Sequence, residues 1–232
     1  MKINAGVNFI ENGLTASLRA MHVNSELVGM INENVIGFDK VGYQRKEPII
    51  SSFTEFLGVN GISATVDDKV GRLTATSSPL DLALAGKGYF QTATKNGVKL
   101  TRDGRFKIDK FGNLLTTDDA KVLGNNGLAI KFPNPPESLK DVIVGSGGKI
   151  SLFNKAKGKV EYVGTLGVVD SNGAAVVTPD VKQGYTEFSN VSLEREFLSM
   201  MPIIRGFDAN RQLFMIQSQN LTKAISQLGS VS

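Results

Sequence analysis

Phe197–Leu228 reads FLSMMPIIRGFDANRQLFMIQSQNLTKAISQL. Apolar side chains recur in it at alternating steps of three and four: Phe197, Met200, Ile204, Phe207, Phe214, Leu221, Ile225 and Leu228, with Arg211 and Ser218 in the two remaining slots. A repeat of this kind is the seam of a helix that lies along another long helix. A helix of about 30 residues runs about 45 Å, longer than most helices inside a compact domain. A narrow stripe on so long a helix needs a partner.

The other end of the chain carries a matching stripe. Ile3, Val7, Ile10, Leu14, Met21, Val28 and Ile31 follow the same alternation, with Ser17 and Asn24 in the polar slots. Asn4 or Asn8 is placed to cap the start. Asn32 and Asn34 suit turns, and Gly37 and Gly42 suit positive φ, so the helix is expected to end there. The pattern alone admits two readings: core helices of a globular domain, or a terminal pair. The stretch between them has almost no helical periodicity for such helices to belong to, which favours the pair.

Four segments follow. Residues 1–35 are the N-terminal helix and 186–232 the C-terminal helix of one terminal helical domain. Residues 36–78 read as an extended linker or hairpin, with strand character at Tyr43–Lys46, Ile49-Ile50 and Arg72–Thr76 and with Gly58 and Gly61 between. Residues 79–185 read as a central all-β domain of short strands bounded by Gly, Asp and Pro, a small sandwich or barrel. The fold class is α+β, its two terminal helices paired as a coiled coil.

Composition excludes several functions. The chain has 232 residues, a net charge of +4 and no cysteine, so disulfides, thiol nucleophiles and cysteine-based zinc sites are absent. The basic residues form no stripe interleaved with aromatics, which argues against nucleic acid. No apolar run reaches membrane-spanning length. Asn4, Asn8, Glu11 and Asn12 interrupt the N-terminus, so no cleaved signal peptide is expected. Gly145–Lys149 fails the phosphate-loop spacing and reads as a β-turn. His22 is the only histidine and reads as a solvated surface residue. Asp103, Asp109, Asp118 and Asp119 lie beside glycines in turn chemistry, without calcium-loop spacing. No catalytic, cofactor or metal site is predicted, and no small-molecule substrate.

Pro202 disturbs the C-terminal helix. An interior proline costs about 3 kcal/mol and removes a backbone bond. The long helix is therefore expected to begin near Ser199 or to kink at Pro202, with Ser192, Glu194 and Glu196 capping a separate short helix before it.

Two central stretches are distinctive. One runs Leu80-Asp81-Leu82-Ala83-Leu84-Ala85-Gly86-Lys87-Gly88-Tyr89-Phe90. The other runs Thr101-Arg102-Asp103-Gly104-Arg105-Phe106 through Asp109 and Gly112 to Thr116, then Val122-Leu123-Gly124. They resemble the L-D-x-A-I-x-G-x-G-F-F, T-R-x-G-x-F-x-x-D-x-x-G-x-L-x-T and V-L-G segments of the bacterial flagellar rod and hook proteins. Ser189-Asn190-Val191 is similar to that family's S-N-V, Arg205–Asn210 to its R-A-Y-E-A-N, and Asn32, Asn34, Gly37 and Phe38 to part of its N-terminal turn. Gly29 and Val35 depart from that turn, and Ile204 stands where the family has Gln.

The resemblance implies an axial structural protein and not an enzyme. It implies export unfolded through the flagellar type III apparatus, and assembly with copies of itself and with neighbouring rod or hook proteins. It places the subunit in the periplasm-spanning rod of the basal body. Hook members carry larger middle domains, so the length favours a rod component, with a lean toward the proximal rod. A hook-type axial protein, or a non-flagellar coiled-coil adaptor with a β domain, is the alternative. The assembly residues are then the two stripes: Val7, Ile10, Leu14, Met21 and Val28 against Phe197, Met200, Ile204, Phe207, Phe214, Leu221, Ile225 and Leu228.

Overall fold

The computed structural model describes residues 3–50, 62–155 and 157–229, with side chains from residue 13 onward, Ile50 and Ile62 excepted. Gly58 and Gly61 therefore lie outside the described residues. The chain divides into two compact units. One comprises Met1–Ile36, Lys46–Val66 and Ser192–Ser232; the other comprises Gly37–Arg45 and Asp67–Val191.

The first unit holds helix α1 (Ile3–Gly37), strands β1 (Lys46–Ile50) and β2 (Ile62–Val66), and helix α2 (Leu193–Gly229). β1 and β2 pair antiparallel, Lys46 opposite Val66. Helix α1 continues past Asn32 and Asn34, which stand inside it and not in a turn. Gly42 has the expected positive φ of 71°. Gly37 does not, and its need for glycine is close approach: a methyl group there would run into the Tyr43 ring.

Helix α2 is continuous across Pro202, and no separate short helix precedes it. Ser192 caps this long helix, its Oγ accepting from Arg195 N at 3.4 Å. The ring of Pro202 sets φ near the helical value and leaves the Leu198 carbonyl without its helical donor. Leu198 and Pro202 are both exposed, so that carbonyl is open to solvation.

The second unit is all-β. Its largest sheet orders β13 (Val168–Val169), β5 (Tyr89–Thr94), β9 (Lys121–Val122), β8 (Leu114–Thr116) and β7 (Phe106–Ile108), with β6 (Gly97–Thr101) paired to β5. A three-stranded sheet joins β10 (Val142–Val144), β11 (Lys149–Asn154) and β12 (Lys159–Thr165). Gly145–Lys149 is the turn between β10 and β11, with Gly145 N donating to Lys149 O at 2.9 Å. The segment 184–192 contains a strand. β15 (Tyr185–Glu187) pairs with β3 (Leu73–Ala75), and β14 (Val181–Gln183) pairs with β4 (Leu82–Leu84). The core gathers Leu80, Leu82, Leu84, Phe90, Phe106 and Phe132 with the valines and isoleucines of both larger sheets. Phe90 and Phe106 meet edge to face at 5.2 Å.

Candidate assembly interface

The half-buried positions of α2 also run in steps of three and four: Ser199, Ile203, Gly206, Asn210, Phe214, Gln217, Leu221 and Ala224, led by the buried Glu196. This inner stripe is mostly small or polar. The apolar stripe read from the sequence lies mainly one residue further on, about 100° round the helix. Phe197, Ile204, Phe207, Ile225 and Leu228 are exposed; Met200, Phe214 and Leu221 are half-buried. Exposure reaches 55% at Phe197 and 62% at Ile225.

In α1, Leu14, Met21 and Val28 are half-buried, and Ser17, Ile31 and Asn34 are buried. Val7 and Ile10 lie on helical backbone but outside the described side chains. Ile31 is the one fully buried apolar side chain that the described residues of either helix supply. Glu196 is the one buried residue of α2.

Contacts between the two helices fall where the inner stripes meet. A methyl group on Gly13 would lie 2.6 Å from Gln217 Nε2, and one on Gly206 would lie 3.3 Å from Asn24 Nδ2. Asn34 Nδ2 donates to Glu196 Oε2 at 3.2 Å. The same Asn34 amide brackets Lys46, donating to its carbonyl at 2.9 Å and accepting from its N–H at 2.8 Å. Asn34 thus stands in for a strand residue beside the start of β1. Elsewhere on the helices Asn32 and Arg205 are exposed, Asn210 donates to Gly206 O at 2.8 Å, and His22 pairs with Glu26 at 3.2 Å.

The remaining family-motif residues build the β unit. Arg102 is buried, its Nε donating to Glu187 Oε2 at 2.8 Å. Its Nη1 donates to the carbonyls of Gly86 and Gly88 at 2.8 and 2.7 Å, and its Nη2 to that of Leu84 at 3.1 Å. Glu187 Oε1 accepts from Gly71 N at 2.9 Å. One guanidinium therefore ties the β4–β5 turn to β15. Gly104 allows close packing, because a Cβ there would collide with the Leu82 carbonyl. Gly112, at φ 82°, completes a turn whose Asp109 Oδ1 accepts from Phe111 N and Asn113 N at 2.8 Å. Thr101 Oγ1 accepts from Asp103 N, and the Asp81 carbonyl accepts from Gly184 N. Asn190 Oδ1 accepts from Arg45 N at 2.6 Å, and its Nδ2 donates to the carbonyls of Asp67 and Lys69. Ser189 Oγ accepts from Val191 N. Leu80 is buried and Phe38 half-buried.

Sequence reasoning read Glu196 only as a helix-capping residue and gave neither Glu187 nor Glu196 its buried partner. Among the described residues no three His, Cys, Asp or Glu side chains are grouped as metal ligands, and no helix is long and apolar enough to cross a membrane.

Comparison with known proteins matches this division. The family described as flagellar hook protein FlgE/F/G D1 domain matches residues 83–152, within the β unit. The family described as flagellar basal body rod FlgEFG protein C-terminal matches residues 182–228, chiefly α2. The chain is 28% identical to the flagellar basal-body rod protein FlgG of Bacillus subtilis (strain 168), covering 97% of this chain and 92% of the relative. It is 28% identical to the rod protein FlgF of Mesorhizobium japonicum, covering 96% and 100%, and 27% identical to that of Rhizobium meliloti, covering 95% and 99%. These matches, in the β unit, along α2 and across nearly the whole chain, support a flagellar basal-body rod protein family.

Proposed function

We propose that this chain is a structural subunit of the bacterial flagellar basal-body rod, with no enzymatic role. Its terminal helices polymerise into a helical tubular axle that transmits torque from motor to hook. The observation that carries this is the phase of α2. Phe197, Ile204, Phe207, Ile225 and Leu228 are exposed while the inner stripe is mostly small or polar. Covering each of these half-exposed side chains is worth about 1 kcal/mol. Contacts of this kind that do not close into a ring generate a filament, so other copies and neighbouring rod or hook proteins are the partners. The near-complete length shared with rod proteins favours the rod over the hook. The subunit leaves the cytoplasm unfolded through the flagellar type III apparatus and lies in the periplasm-spanning rod. Imaging basal bodies from a deletion strain tests the role. Truncation at or within the rod is the expected result; a complete rod and hook would overturn it.

A further inference from the structure

The two close approaches between α1 and α2 are reciprocal. α1 offers a glycine at 13 and an amide at 24; α2 offers a glycine at 206 and an amide at 217. Each amide lies against the opposite helix's glycine, and in both helices glycine and amide are separated by three helical turns. The Asn34–Glu196 bond continues the same antiparallel register, with 13, 24 and 34 on one helix meeting 217, 206 and 196 on the other. Gln217 Oε1 is buried and finds no hydrogen-bond partner among the described residues. A buried polar group without a partner lowers stability. A polar residue kept in a helix seam at such a cost is the established device for fixing register.

We propose that Asn24–Gly206 and Gln217–Gly13 are a pair of register keys. They fix the phase in which the helix pair presents its outward apolar stripe to neighbouring subunits. This rests on the rod reading proposed above and on the α1–α2 contacts at the same pairs. Apolar stripes with a heptad repeat slip by seven residues at little cost, because every slot then meets a similar slot. An amide seated on a glycine does not, since seven residues away from Gly206 it meets Leu213 or Ser199.

The absence of cysteine makes the test direct. The full-length chain with Leu27→Cys and Ile203→Cys reports the observed register, and Leu27→Cys with Asn210→Cys reports a slip of one heptad. Both are oxidised at high protein concentration, with sedimentation recording the state of assembly. A mixture with isotope-labelled chains separates links within a chain from links between chains. The 27–203 link is expected to dominate at least tenfold. Gly206→Asn alone, or Asn24→Gly alone, should reduce that dominance at least fivefold, and the exchanged pair Asn24→Gly with Gly206→Asn should restore it. Unchanged linking in both single variants, or no restoration in the exchanged pair, overturns the keys and leaves the pairing intact. Absence of the 27–203 link in the chain with its keys unaltered overturns the pairing itself.

Discussion

Asn34 and Glu196 are hydrogen-bonded at 3.2 Å although 162 positions separate them in the chain. Their residues are 1% and 0% exposed. The amide of Asn34 also holds both backbone groups of Lys46, so one side chain fixes the ends of α1, α2 and β1 together. Asn34→Ala removes all three bonds and leaves a buried carboxylate short of a donor. The expected loss is about 2–3 kcal/mol in local opening. In the assembled protein, amide exchange at Lys46 should rise on the order of 30–150-fold. Exchange unchanged at Lys46 would show that the junction is held by other contacts.

The Arg102–Glu187 pair carries the corresponding role in the β unit. Its guanidinium serves three carbonyls and one carboxylate from a buried position. Arg102→Met leaves Glu187 buried with one cationic partner gone, a change expected to cost about 3–5 kcal/mol. Arg102→Lys should recover little of it, because a single ammonium cannot reproduce the planar fork. Urea unfolding of the β signal by circular dichroism checks both; a Lys variant as stable as the parent would refute the fork argument.

The period of the helices was legible in the sequence, and their phase was not. The outward stripe is apolar and announces itself. The inner one is written in Ser199, Gly206, Asn210 and Gln217, which a hydrophobic pattern does not register. Pro202 misled for a related reason, since a proline on an exposed face forfeits a bond that water replaces. The β unit was readable from its turn residues, but β14 and β15 are three residues each and split by Gly184 at φ 76°, too short for alternation to show. The partner of Glu187 lies 85 residues away, beyond the reach of any local pattern.

Acid should act on the β7–β8 turn at Asp109. The hydrogen bond from the Asn113 side chain, helped by backbone N–H groups of Asn113 and Phe111 and by the charge of Lys131, holds this carboxyl below its ordinary value despite some desolvation. A lowered folded pKa means the stabilisation is fully present above the unfolded pKa and is lost as pH falls through the folded one. Amide protection at Phe111 and Asn113 should therefore stay level from neutrality down to the ordinary carboxylate range and drop below it. Asp109→Asn should show weaker protection with no such acid step. A step in the parent above the ordinary range would reverse the assignment.

A dilute single chain should show little helix. Ordering the backbone costs about 1–2 kcal/mol per residue, and among described residues the helices bury only Ile31 fully to offset it. Far-UV circular dichroism at low concentration is expected to be dominated by the β unit, with helix growing as neighbours are supplied. Strong, cooperatively melting helix in the isolated chain would contradict this.

Phe207→Asp separates assembly from folding. Phe207 sits on the outward stripe of α2, one residue past the glycine that meets Asn24, and is 37% exposed, open to a neighbour. A carboxylate there must be taken out of water when copies associate, at a cost of several kcal/mol. A loss of about 3 kcal/mol raises the critical concentration for polymer on the order of 100-fold. Leu221→Asp, on a half-buried position shared by the outward and inner stripes, should block polymer and also weaken the helix pair. Unfolding of the β unit by urea should be unaltered by either change. Pelleting measures the first effect and circular dichroism the second. A Phe207→Asp chain that pellets at the parental concentration would remove the outward stripe from the assembly surface.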